Sequence, residues 1–161
     1  MFTIVQADLS NKSHASAYLA LMSHYACDPM GGGEDLSEFA KQNLISTLLK
    51  RTDTVILLIF KEDKPAALLT AIEGFSTFSC KPLFNIHDVV VHNDFRGLKL
   101  TTMLFTEIEK IAKQRDYCKI TLEVLSGNEV AKNAYLKQGY ADYQLDPSHG
   151  TALFWTKSLK D

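Results

Sequence analysis

The chain has 161 residues, 46% of them hydrophobic and 22% charged, with a formal net charge of −2. That is the composition of a globular domain long enough to bury a substantial core. With no lysine- or arginine-rich block and no apolar run near the roughly 20 residues of a membrane span, nucleic acid and membrane are not expected partners. Met1–Asp8 reads as a strand and lacks the basic-then-apolar layout of a signal peptide. Cys27, Cys80 and Cys118 are odd in number and far apart. They fit neither a metal-ligand spacing nor a disulfide framework, so a reduced, cytoplasmic protein without a metal is expected.

In chain order, Phe2–Ala7 alternates as a short strand does, and His14–Tyr25 sets Ala15, Tyr18, Leu19 and Met22 at helical spacing. Asp28-Pro29-Met30-Gly31-Gly32-Gly33 breaks that helix. The next is expected to open on Asp35 as N-cap with Glu38 as its capping-box partner. Its apolar face is Leu36, Phe39, Leu44 and Leu48. Val55–Phe60, Ala66–Phe75 and Phe84–His92 are strand-like, the first two joined as a hairpin through Glu62-Asp63-Lys64-Pro65. Val89-Val90-Val91 shows no alternation, which suits a strand buried on both faces. A helical stripe follows at Leu100, Met103, Leu104, Ile108, Ile111 and Ala112. Then come a strand at Ile120–Val124, a short helix at Asn128–Gln138 closed by Gly139, and a final strand at Ala152–Thr156. Strand, helix, strand and helix in that order imply a right-handed parallel crossover. The expected fold is α/β (α+β), an antiparallel meander running into a βαβα unit, with 1–161 as one domain.

The junction from Val91 to Thr101 carries most of the chemistry. A helix that starts directly after a buried strand offers unpaired backbone N–H groups and partial positive charge to an anion. Arg96 and Lys99 add charge there, and Gly97 permits close backbone approach.

Several motifs in this order resemble the GNAT acetyltransferases: Ile86–Val91, Arg96-Gly97, Leu104, Leu122-Glu123-Val124, Asn128, Ala131, Ala134-Tyr135 and Gly139-Tyr140. The match is close over 84–145. Phe84–Gly97 is similar to the spermidine/spermine acetyltransferases, with His87-Asp88 where those carry Glu-Asp. Asp28–Gly33 and Gly74–Phe78 also resemble a bacterial group within the same family. The resemblance implies a mostly antiparallel mixed sheet with flanking helices and a splayed, parallel central pair. It implies acetyl-CoA as co-substrate, an amine as acceptor, and direct attack in a ternary complex.

The residues implied for acetyl-CoA are the main chain of Val89, Val90 and Val91, the loop residues Arg96, Gly97, Leu98, Lys99, Leu100 and Thr101, then Asn128 and Tyr135. Asn128 also suits a helix N-cap. Two glycines of the family loop are replaced by Lys99 and Thr101. Every non-proline residue still supplies a backbone N–H, and these two add a charged donor and a hydroxyl. Tyr135 is the implied general acid.

An amine with pKa about 10.4 costs about 4.6 kcal/mol to present neutral at pH 7, against about 2 kcal/mol to ionise a thiol of pKa about 8.5. A base is therefore the larger need. His87 is the candidate, because imidazole serves proton transfer near neutral pH; Asp88, Glu73, Glu123 and a water chain are alternatives. Regular alternation puts residues 87, 89 and 91 on one face, so His87 and Asp88 are expected to point oppositely. Asp28, Met30, Gly31, Glu73, Phe75 and Asp88 are expected at the acceptor, where acidic groups suit a cation. A homodimer is left open. The alternative reading is a GNAT-fold module that binds or senses acyl-CoA with little or no catalysis.

Overall fold

Val55, Ile56, Leu57, Leu58 and Ile59 are all buried, because this run lies inside a sheet covered on both faces. A computed structural model describes residues 1–159, and the chain divides into two units, Met1–Leu122 and Glu123–Asp161. The first unit holds β1 (Phe2–Gln6), α1 (Lys12–Ala26), α2 (Glu38–Leu48), β2 (Thr54–Lys61), β3 (Lys64–Ser76), β4 (Lys81–Val91), α3 (Leu100–Gln114) and β5 (Ile120–Leu122). The second holds α4 (Glu129–Leu136). Strand order is β1-β2-β3-β4-β5. Neighbours are antiparallel from β1 to β4, and β5 runs parallel to β4.

One face of the sheet is closed by Tyr18 and Leu21 of α1, which pack on Ile56, Leu58, Leu68 and Val90. Leu44, Ile45 and Leu48 of α2 lie against the same cluster. The intervening residues Leu57, Ile59 and Leu69 point to the other face and are also buried. There α3 packs on β2, β3 and β4 through the stripe Leu104, Phe105 and Ile108. Each fully buried leucine of this kind contributes about 1.5–3 kcal/mol of transfer free energy. Two-sided cover is why these strands read as continuous apolar runs.

Four expectations are corrected. Ser37, not Asp35, caps α2: its Oγ accepts from the Ala40 N–H at 3.1 Å. Asp35 instead accepts from the Leu36 N–H at 2.7 Å and pairs with Lys41 at 2.8 Å. Ser37 immediately precedes the first helical residue, and from there its hydroxyl reaches the third helical N–H. The strand at Ile120 stops at Leu122, because its ladder with β4 ends at the Ile86–Leu122 pair. Ala152–Thr156 forms no strand, and Leu153, Phe154 and Trp155 are 74%, 74% and 82% exposed. Among the described residues, its recorded backbone hydrogen bond runs from Ala152 N–H to the Tyr143 carbonyl, too little for a ladder whatever the residues' propensity. The parallel pair accordingly lies at the sheet's edge and not in its centre.

Candidate functional site

Pairing between β4 and β5 covers only Phe84, Asn85 and Ile86. Among the described residues His87–Val91 runs alongside β3 and does not pair with β5, and main-chain recognition of an extended ligand needs such an unpaired edge. The side chain of Val90 is buried in the α1 cluster, so that residue can serve a ligand only through its backbone. Val89 and Val91 are half-buried and lie opposite Leu69 and Ala67 on the α3 face.

A bulge interrupts β4 at the candidate base. Thr70 faces Asp88 while Ala71 faces Ile86, which leaves His87 as the extra residue. Asn85 and Asp88 lie opposite Ile72 and Thr70, so both project on the α1 face. Regular alternation is therefore interrupted at His87, between Ile86 and Asp88, while Asp88 and Val90 keep one face and Val89 and Val91 the other. His87 is exposed. Asp88 hydrogen-bonds Thr70, whose hydroxyl meets that of Tyr18 at 3.2 Å. Burial pushes the Asp88 carboxyl above its ordinary range, against the smaller lowering effects of the Thr70 hydrogen bond and of His87. Burial also pushes Tyr18 up to about 12. Thr70 and Tyr18 were missed in the sequence, where Tyr18 looks like part of an apolar stripe. The available signal was the lone hydroxyl of Thr70 inside Ala66–Ile72.

Glu73 lies elsewhere. It is opposite Phe84 on the α3 face, where its carboxylate accepts from the Tyr117 hydroxyl. Phe75 is exposed in the hairpin between β3 and β4. The acidic group expected around the acceptor is thus divided between two faces, with Asp88 on one and Glu73 on the other.

The loop before α3 has an unusual backbone. Gly97 has φ 78° and Lys99 has φ 60° and ψ 24°, so Lys99 adopts the left-handed conformation that glycine takes without strain. Among the described helices and turns, α3 alone has no side-chain cap, and its first turn carries no acid. Such an end suits a polyanion. Leu98 is 49% exposed and Leu100 is buried, so Leu100, like Val90, offers only its main chain. Arg96 Nη2 donates to Asp28 Oδ2 at 2.9 Å, and Thr101 is half-buried.

Asp28 organises the turn that follows α1. Its Oδ1 accepts from the Met30 N–H at 2.9 Å, and its carbonyl accepts from Gly31 and Gly33 at 2.8 and 3.0 Å. The Met30 hydrogen bond, then Arg96, hold its carboxyl below the usual range. A side chain at Gly31 would overlap the Tyr25 carbonyl, so glycine there is required by packing. Met30 is 43% exposed. Cys27, just before the turn, is also exposed.

In the second unit, Asn128 caps α4 by accepting from the Ala131 N–H at 3.1 Å. Tyr135 is half-buried, with its ring 6.4 Å from that of Tyr140. Gly139, at φ 87°, closes the helix.

A mixed sheet with a parallel β4–β5 pair, a bulge in β4 and an uncapped helix between the two strands defines an acyltransferase-type fold. The model of the acetyltransferase (GNAT) family matches residues 18–140, and the chain belongs to that family. It is 31% identical over 117 residues to an uncharacterized N-acetyltransferase, ycf52, of Porphyra purpurea, across 69% of this chain and 59% of that protein. The chain thus spans about three-fifths of that relative's length. Among solved structures, a probable acetyltransferase superposes with TM-score 0.81 at 21% identity, covering 98% of this chain and 99% of that one. An aminoglycoside acetyltransferase from an uncultured soil metagenomic sample, in complex with trehalose, gives 0.75 at 16%, covering 98% and 97%. Glucosamine-6-phosphate N-acetyltransferase of Arabidopsis thaliana gives 0.71 at 19%, covering 99% of each chain.

Proposed function

We propose that the protein transfers the acetyl group of acetyl-CoA to an amine, most simply a small cationic one. The reading rests on one observation above the rest: α3 begins without a side-chain cap or an acid, behind a loop with two residues at positive φ and a basic side chain. These residues fit a pyrophosphate. Backbone N–H groups from Gly97 to Thr101 would hold it, Lys99 and Arg96 would add charge, and the exposed edge of Val89–Val91 would take the pantetheine arm. When bound, the co-substrate supplies an activated acyl group on a good leaving thiol.

The chain's own residues supply the proton handling. His87 at the bulge accepts the amine proton. Asp88, the next residue along β4, lies close enough to His87 to interact with it electrostatically. Tyr135, by family resemblance, gives a proton to the departing thiol, and Asn128 serves α4 and the co-substrate together. A solved neighbour described as an aminoglycoside acetyltransferase supports amines as the acceptor class.

The test is calorimetry with acetyl-CoA followed by thiol release against a panel of amines, with polyamines and aminosugars in separate arms. Binding and amine-dependent release are expected. No heat with millimolar acetyl-CoA would remove the reading, and binding without release on any amine would leave only a sensor.

A further inference from the structure

The loop that would hold phosphate and the glycine turn after α1 meet at a compact joint. Arg96 Nη2 and Asp28 Oδ2 are 2.9 Å apart, with side chains 57% and 23% exposed. Beside them the rings of His24 and His92 stack with centroids 4.4 Å apart and planes 24° from parallel. His24 belongs to the last turn of α1. It hydrogen-bonds Asn93, and Arg96, Asp28 and His92 all act on it electrostatically. His92 caps the short turn at Asn93–Phe95 by accepting from the Asp94 N–H at 3.3 Å. Two contacts of different chemistry therefore join the same two segments, one ionic and one between imidazole faces.

Asp28 spends its polar atoms in both directions. One carboxylate oxygen and its carbonyl fix Met30, Gly31 and Gly33, and the other oxygen holds the guanidinium. A guanidinium has five N–H donors in a rigid fork, and only Nη2 is recorded on Asp28. Among the described residues no second acceptor meets the guanidinium, so its remaining N–H groups can take another anion.

We propose that Asp28 is a positioning residue for Arg96, and that this joint couples occupancy of the phosphate loop to the order of the turn at residues 28–33. The proposal rests on the acetyl-CoA reading above. Phosphate on the far side of the guanidinium fixes Arg96, Arg96 fixes Asp28, and Asp28 fixes the three N–H groups of the turn. By reciprocity, whatever orders the turn tightens acetyl-CoA by the same factor.

Asp28→Asn isolates the effect, because asparagine still accepts from the Met30 N–H and keeps the turn while the ion pair is lost. Acetyl-CoA affinity should fall about fivefold in Asp28→Asn, the low end of ordinary coupling. In an Arg96→Gln background the same change should have no further effect. Acetyl-pantetheine, which lacks the pyrophosphate, should bind with the same affinity whichever residue stands at 28. Hydrogen exchange at Gly31 and Gly33 should slow when acetyl-CoA is added to the wild-type protein and not when it is added to Arg96→Gln. If wild type binds acetyl-CoA but those amides do not respond, or if the two substitutions act additively, the coupling is overturned while the enzyme reading stands. If wild type does not bind acetyl-CoA at all, both fall.

Discussion

Gly31 and Gly33 sit two residues apart in one turn, yet substitution should affect them differently. A Cβ on Gly31 would run into the Tyr25 backbone, whereas one on Gly33, at φ 79°, meets open space. Gly31→Ala should cost about 3 kcal/mol, the upper end for overpacking against atoms that cannot yield. Gly33→Ala should cost about 1–2 kcal/mol from its left-handed backbone alone. Denaturant melts of both variants would check this, and equal losses would show that the turn yields at Gly31. Lys99 poses the converse case, a side chain on a backbone suited to glycine. Restoring glycine at 99 and 101 should change acetyl-CoA affinity by no more than about tenfold, because backbone donors dominate such a site. A hundredfold gain by calorimetry would show that the natural side chains obstruct it. For the chemistry, Tyr135→Phe should retain acetyl-CoA binding and lose about 10²-fold in turnover. His87→Ala should hurt more with an aliphatic amine than with an aromatic one, which is already neutral. Equal losses on both acceptors across the pH range would leave His87 a surface residue of the bulge.

At the scale of elements, the N-terminus of α3 makes a prediction with two opposite signs. Thr101→Glu puts a negative charge in the first turn, which should stabilise the helix by about 0.3–1 kcal/mol. The same charge should repel a bound phosphate and weaken acetyl-CoA at least about tenfold, since the helix end is the proposed anchor. Stability and affinity moving in the same direction would argue that the anion does not sit there. These elements were readable in advance where one local signal dominates. The α3 stripe, the hairpin through Glu62-Asp63-Lys64-Pro65 and the parallel order of β4 and β5 all follow from periodicity and turn chemistry. The bulge at His87 was not, because two-for-one pairing depends on the partner strand and leaves no mark in residues 84–91 themselves. Asp35 and Ser37 are both good capping residues two positions apart, and sequence does not say which one the backbone turns at. Ala152–Thr156 has the β-branched and aromatic content of a strand without a ladder to join. Glu73 was grouped with Asp88 by charge, while the register separates them by face.

For the molecule as a whole, acetyl-CoA should raise the melting temperature by mass action. A hundredfold excess over Kd adds about 2.7 kcal/mol, or about 5–10 °C for a protein of this size. Acidity acts through Asp88. Its carboxyl is raised in the folded protein chiefly by burial, so the folded state binds that proton more tightly than the unfolded chain does. The associated stability is complete below the unfolded value of about 3.9 and is lost as pH climbs through the raised folded value. Asp88→Asn should therefore gain on the wild-type melting temperature as pH rises from about 4 to 7. A constant difference across that range would mean that the carboxyl does not titrate above its ordinary range. Cys27, exposed between α1 and the Asp28 turn, makes the joint visible without any acceptor in hand. A thiol-reactive fluorophore on Cys27 would report co-substrate arrival by colour or anisotropy, and Cys80, exposed in the loop between β3 and β4, would serve as an internal blank. With Cys118 replaced by serine, the protein becomes its own optical titration cell for acyl-CoA compounds.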